Sequence, residues 1–232
     1  MNGKAIIKFL VVIAAIIGLF AYFIQPLAGS LKQGLDLQGG THIVLEAEDS
    51  ATGQADNDAV ERAKQILERR INEMGLSEPL VQREGARRII IELPGVKDPD
   101  EAIKRIGKTA VLEFKNDQGQ TVMTGDDLKD AKEELGQNKQ PLVAIELSDE
   151  GAKKFADLTS KNIGRRIAIT LDGKELTNPV VQQAITGGKA TISGSQSLEE
   201  AKDLAILLRS GALPVKINVL EVRTVGPSLG QS

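Results

Sequence analysis

Cysteine and tryptophan are absent, and a single histidine, His42, stands among 232 residues. The missing cysteine excludes disulfides, thiolate zinc sites and cysteine nucleophiles. One histidine supplies neither a metal cluster nor a Cys–His dyad. His42 therefore reads as a structural or surface residue within a strand. Aromatic residues amount to 3% of the chain, and the only Tyr and most Phe fall within the first 23 positions. Any folded region beyond them must build its core from Ile, Leu, Val and Ala. A basic excess is missing too. With 29 basic and 32 acidic residues the net charge is −3, which lacks the positive footprint that nucleic-acid binding requires. The length suits one anchor plus one or two compact domains.

One long apolar run is present. Phe9–Ile24 is uncharged and almost wholly apolar, and extending it to Leu27 adds only one polar residue, Gln25, and one proline, Pro26. That length meets the ~20 residues of a spanning helix. Lys4 and Lys8 precede it, and no basic residue follows until Lys32. The positive-inside rule places the N-terminus in the cytoplasm and residue 30 onward outside. Residues 1–30 are thus expected to be a transmembrane anchor. Read instead as a cleaved signal peptide, the run would be cut near Leu27-Ala28-Gly29-Ser30, and the remainder would still lie outside the cytoplasm.

The rest of the chain is punctuated by clear element boundaries. Thr41–Glu48 alternates as a half-buried strand. Gln54–Met74 is an amphipathic helix with Val60, Ala63, Leu67, Ile71 and Met74 on one stripe, stopped by Gly75. Glu78–Arg83 and Arg87–Leu93 form a hairpin around Glu84-Gly85-Ala86. Asp98-Pro99-Asp100-Glu101 opens a short helix ending at Gly107, with a cap, a first-turn proline and acids at the positive end of the dipole. Ala110–Lys115 is a strand that completes a β-α-β-β-α-β, ferredoxin-like order. A similar order recurs. Gly125–Leu135 is a short extra helix, Pro141–Leu147 a strand, and Asp149–Ile163 a helix with Ala152, Phe155, Leu158 and Ile163 inward. Arg166–Leu171 and Glu175–Val181 pair through Asp172-Gly173. Lys189–Ser193 is a short strand, Ser197–Glu200 a capping box opening a helix through Leu208, and Pro214–Val222 a final strand. The expected class is α+β: a transmembrane helix, a ferredoxin-like unit and a second α/β lobe of similar element order.

Chemistry-bearing constellations are scarce. Gly187-Gly188-Lys189-Ala190-Thr191 fails as a phosphate loop, because Ala190 stands where Ser or Thr must follow the lysine. The acids are spread over helix faces and turns, as solvated charges and caps are. No catalytic, cofactor or metal site emerges, and no enzymatic activity is expected. Val180, Val181, Ala184 and Ile185 form an apolar run between Pro179 and Gly187, a candidate contact for an apolar partner segment.

Two glycine-bearing stretches stand out. Gly34-Leu35-Asp36-Leu37-Gln38-Gly39-Gly40 joins the apolar run to the first strand, and its glycines permit positive φ and close backbone packing. Gly211-Ala212-Leu213-Pro214 precedes the last strand, which runs into Arg223-Thr224-Val225-Gly226-Pro227. Together they closely resemble the SecD family of protein-export subunits, where the first stretch follows the first transmembrane helix and the second returns the chain to the next. The segments Asp149–Phe155, Ile169–Gly173 and Gly188–Gly194 share the resemblance, which covers residues 5–230.

The resemblance implies a subunit of the cell membrane that assists proton-motive-force-dependent export by holding the emerging, unfolded preprotein outside the membrane. It implies SecF and the SecYEG channel as partners, often with YajC, a lipid bilayer as setting, and no cofactor. It further implies a base at 34–116, a head at 117–212, a strand at 213–224 returning to the base, and a linker at 225–232 toward a second helix. Head motion would use crossings near Asn116–Gln120 and Gly211–Pro214. The family's proton-conducting helices are not in this sequence. A membrane-anchored or secreted ligand-binding module of ferredoxin-like fold is the alternative, since fold alone does not assign function.

Overall fold

A computed structural model describes Ile13 and residues 39–226 apart from 51, 52, 77, 78 and 97. Apart from Ile13, the apolar run lies outside the described residues, as do Gly34–Gln38 and Pro227. Among those described, no helix is long and apolar enough to cross a membrane. Among the described residues, four helices and eleven strands form a mixed α/β structure with three antiparallel sheets and two hydrophobic cores.

The first lobe begins with β1 (Gly40–Glu48) and α1 (Asn57–Glu73). It continues through β2 (Leu80–Glu84), β3 (Arg88–Pro94) and α2 (Pro99–Ile106). Asp56 caps α1 by accepting from the Ala59 amide at 2.7 Å, and Asp98 caps α2 by accepting from the Glu101 amide at 3.0 Å. The alternation of β1 buries Ile43, Leu45 and Ala47 on the same sheet face as Ile89, Ile91 and Leu93 of β3. The α1 stripe of Val60, Ala63, Leu67 and Ile71 is fully buried against that face. This core holds no aromatic side chain.

The second lobe starts with β4 (Leu112–Lys115) and β5 (Thr121–Thr124), followed by a 3-10 turn and β6 (Leu128–Leu135). Next come β7 (Pro141–Leu147), α3 (Asp149–Lys161), β8 (Ala168–Leu171) and β9 (Lys174–Thr177). β10 (Lys189–Ser193) and α4 (Leu198–Ser210) complete it before β11 (Lys216–Val225). One sheet has the order β10-β7-β6 and the other β5-β4-β8-β9. Phe114 and Phe155 meet edge to face at 5.9 Å in the core between them. The Asp172-Gly173 turn joins β8 to β9 with both residues at positive φ, 50° and 77°.

Four sequence expectations are corrected. Leu112–Lys115 does not complete the first sheet. It pairs with β5 and β8, and the place beside β1 is taken by β11, giving β11-β1-β3-β2. Element order alone does not choose a partner strand. Gly125–Leu135 is not a helix. Gly125–Asp127 is a 3-10 turn, and the helix-favouring residues that follow form β6 because β7 supplies a ladder for them. Asn116–Gln120 is not a crossing between lobes but the β4–β5 turn, closed by the Asn116 amide on the Gln120 carbonyl at 3.0 Å. The chain passes between lobes at 107–111 and 211–215. Ile163 follows the end of α3 and is 55% exposed, not inward.

Candidate functional site

A concavity of about 770 Å³ opens in the second lobe. Its floor is apolar and buried: Ile145 on β7, Phe155 on α3, and Ile167 and Ile169 at β8. The segment 179–185 forms one wall. Backbone bonds stitch this wall to the loop after α3. Ile167 donates to the Pro179 carbonyl at 3.1 Å, Val181 to Arg165 at 2.9 Å and Gly164 to Val181 at 2.8 Å. Ile185 is tied separately, donating its amide to Thr159 Oγ1 at 3.0 Å.

The opposite rim is charged because of register. Asp130, Glu146 and Lys189 stand in one row across β6, β7 and β10, and Lys132 lies in the next. Lys129 Nζ lies 2.6 Å from Glu146 Oε1 and holds that carboxyl below its ordinary range, while Glu146 raises the lysine. The cleft thus joins an apolar floor to a rim of both signs. Among the described residues, no group of three or more acidic and histidine side chains is placed to hold a metal.

Of the four candidate contact residues, Val180, Val181 and Ile185 line the cleft. Val180 is 45% exposed at its mouth, and Val181 is buried in its wall. Ala184 is exposed and does not line it. Phe155 is expected only as an inward residue and Thr159 is not singled out, and Asp130 and Lys132 of the charged row go unforeseen because β6 reads as a helix. His42 is remote from these residues in sequence and element. It sits on β1 of the first lobe with Nδ1 3.5 Å from Glu92 Oε1.

The two glycine-bearing stretches meet. Gly40 pairs with Val225, Thr41 with Thr224 and His42 with Arg223. Gly39 and Gly40 have φ of 67° and 149°, so the entry to β1 uses backbone that side chains disfavour. Gly211, at φ 89°, caps α4, and Leu213 then enters the first core while Gly226 follows β11.

Comparison with known proteins decides the family. Residues 31–51 match the SecD/SecF GG motif, residues 60–119 the N-terminal P1 domain of protein translocase subunit SecDF, and residues 103–215 the SecDF P1 head subdomain. The chain belongs to the SecD family. It is 58% identical over 231 residues to protein translocase subunit SecD of Acidaminococcus fermentans, covering all of this chain and 55% of that one. A solved SecDF described as a membrane component that enhances protein export aligns with TM-score 0.71 and 40% identity, over 78% of this chain and 99% of that one. SecDF in its super-membrane-facing form aligns with TM-score 0.76 and 42% identity, over 86% of this chain and 32% of that one. The chain spans about half the length of curated SecD relatives such as those of Acidaminococcus fermentans and Dictyoglomus turgidum. The cleft falls within the part matched to the P1 head.

Proposed function

We propose that this chain is the anchor and first extracytoplasmic region of a SecD-type export subunit, and that the cleft receives an extended segment of unfolded preprotein. One observation carries the reading: a roomy concavity with a buried aliphatic and aromatic floor lies in the lobe that matches the P1 head. Unfolded chains present apolar side chains and unpaired backbone, and such a cleft offers burial for the former. The first lobe, with strand order β11-β1-β3-β2 and two helices on one face, serves as a ferredoxin-like base. The base runs to the crossing at 107–111 and resumes at 213; the head lies between. Residues 1–30 anchor the unit in the cell membrane with the N-terminus inside. SecF, the SecYEG channel and YajC are its partners, and coupling to the proton motive force resides in helices outside this sequence. The work is mechanical and needs no enzymatic chemistry.

These 232 residues hold no cysteine, so a thiol introduced among them meets no competitor within this region. Single cysteines at Val180 and Gln183, placed in the native subunit and carrying a photo-crosslinker, are expected to capture a stalled export substrate. The same label at Gln82 on the first lobe is expected not to. Equal capture from all three positions, or none from the cleft, removes the reading.

A further inference from the structure

Arg70 lies in the last turn of α1 and is fully buried. Its Nε donates to Ser210 Oγ at 3.1 Å and its Nη2 to the Gly211 carbonyl at 2.8 Å. Its Nη1 donates to the carbonyl of Ile106 at 2.6 Å and to that of Lys108. Every one of these acceptors is neutral. Among the described residues no carboxylate lies within ion-pair distance of it.

Three of the four acceptors belong to helix ends: Ile106 ends α2, Ser210 ends α4 and Gly211 caps it, while Lys108 lies in the outgoing crossing. The last carbonyls of a helix lack internal partners and carry the negative end of its dipole. The negative ends of two helix dipoles, one from each lobe, therefore face Arg70, and Asp172 adds an opposite charge beyond ion-pair distance. Both interlobe crossings converge on this guanidinium, and the Leu213 amide ties them together by donating to the Thr109 carbonyl at 2.8 Å. The outgoing crossing is held from the other side by Asp172, whose carboxylate accepts from the amides of Ala110 and Val111 at 3.1 and 2.9 Å. Ala110, at φ 62°, is kept in a left-handed conformation between the two. Farther out, Arg105 pairs with Asp203, and Arg209 with Glu73 at 2.8 Å, across the same junction but partly exposed.

We infer that Arg70 is a positioning residue that sets the orientation of the second lobe on the first, because only one arrangement brings both helix ends to its guanidinium. A turn of the second lobe separates Ser210 and Gly211 from Ile106 and Lys108, leaving a buried cation short of acceptors, so the junction prefers one discrete state over a continuum. The outer ion pairs are partly exposed and so partly screened, and they trim that preference without creating it. The inference is independent of what the cleft binds.

Spin labels on Q82C and Q137C, both exposed positions in opposite lobes, report the interlobe distance in the full 232-residue chain by double electron–electron resonance. The parent is expected to give one narrow distance. Glu73→Gln with Asp203→Asn is expected to leave it narrow. Arg70→Lys, which keeps the charge but loses the fork of donors, is expected to broaden it. Hydrogen exchange at 107–111 and 211–215 should then rise at least about tenfold, while exchange in β3 and β7 stays within about threefold. Ser210→Ala, a milder change, is expected to act in the same direction, with about threefold faster exchange at 211–215. A narrow, parent-like distance in both Arg70→Lys and Ser210→Ala overturns the inference. So does exchange that rises equally in β3 and β7, which marks a role in folding alone.

Discussion

Gly151→Ala isolates one close approach whose sign can be measured. Gly151 sits in the first turn of α3, where alanine ordinarily helps a helix by about 1 kcal/mol. Here a Cβ would collide with the Asp127 carbonyl oxygen, closer than atoms can pack, and would press on the Asp127 Cβ at a tight 3.0 Å. The 3-10 turn is not free to retreat. Asp127 accepts the Ser148 amide on its carbonyl at 2.9 Å, and its carboxylate accepts the Thr124 amide at 3.0 Å and Lys154 Nζ at 2.7 Å. Forcing a methyl into a packed site costs about 1–3 kcal/mol, and losing the Ser148–Asp127 bond costs about 1 kcal/mol more. After the helix gain, G151A should destabilise the second lobe by about 1–3 kcal/mol. Hydrogen exchange of β7 amides reads this directly: a loss of about 2 kcal/mol speeds exchange roughly 30-fold when those amides open by unfolding of the lobe. A variant as stable as the parent, or more so, would mean that α3 and the turn are not held this closely, and the reasoning fails.

Two further perturbations separate the lobes and their titration. Ile91→Ala empties a fully buried position in the first core and should cost that lobe about 2–5 kcal/mol; exchange around Phe155 should be unchanged, and an equal loss in both lobes would refute two separate cores. Glu113 has its carboxyl held below the ordinary glutamate value, chiefly by hydrogen bonding to Lys115 and then to Thr121. Its stabilising contribution is present above the unfolded pKa and is lost as pH falls through the lowered folded one. Glu113→Gln should therefore flatten the acid limb of a denaturation-midpoint profile below about pH 4, and an unchanged limb counts against it.

Much of the first lobe was legible because its periodicities are uninterrupted. The stripe Val60-Ala63-Leu67-Ile71 and the capping aspartates at 56 and 98 each act within one element, where spacing is sufficient evidence. Partner choice was not legible. β4 alternates correctly, but nothing in four residues says which sheet it joins. β6 was misread for a physical reason: Leu-Lys-Asp-Ala-Lys-Glu-Glu-Leu is made of helix formers, and of these only Ala131 is buried. Its strand state is imposed from outside, by β7 on one edge and by Arg209 on the Ala131 carbonyl at 2.6 Å. That error hid the charged rim of the cleft, although the apolar wall at 180–185 was visible. Arg70 left a trace that could have been followed, since it falls three residues after Leu67 on the buried stripe of α1, where a charge requires partners.

The pairing of β1 with β11 joins Gly40 to Val225, with the whole second lobe threaded between them. A growing chain therefore finishes the lobe it started second before it can close the one it started first. Until Lys216–Val225 has been made, β1 exposes a bare ladder and part of the aliphatic core lacks Leu213 and Val215. Long-range closure of this kind is slow compared with local hairpins, so the nascent first lobe spends its early life as an unpaired sheet edge, the kind of surface that invites mispairing with other emerging chains.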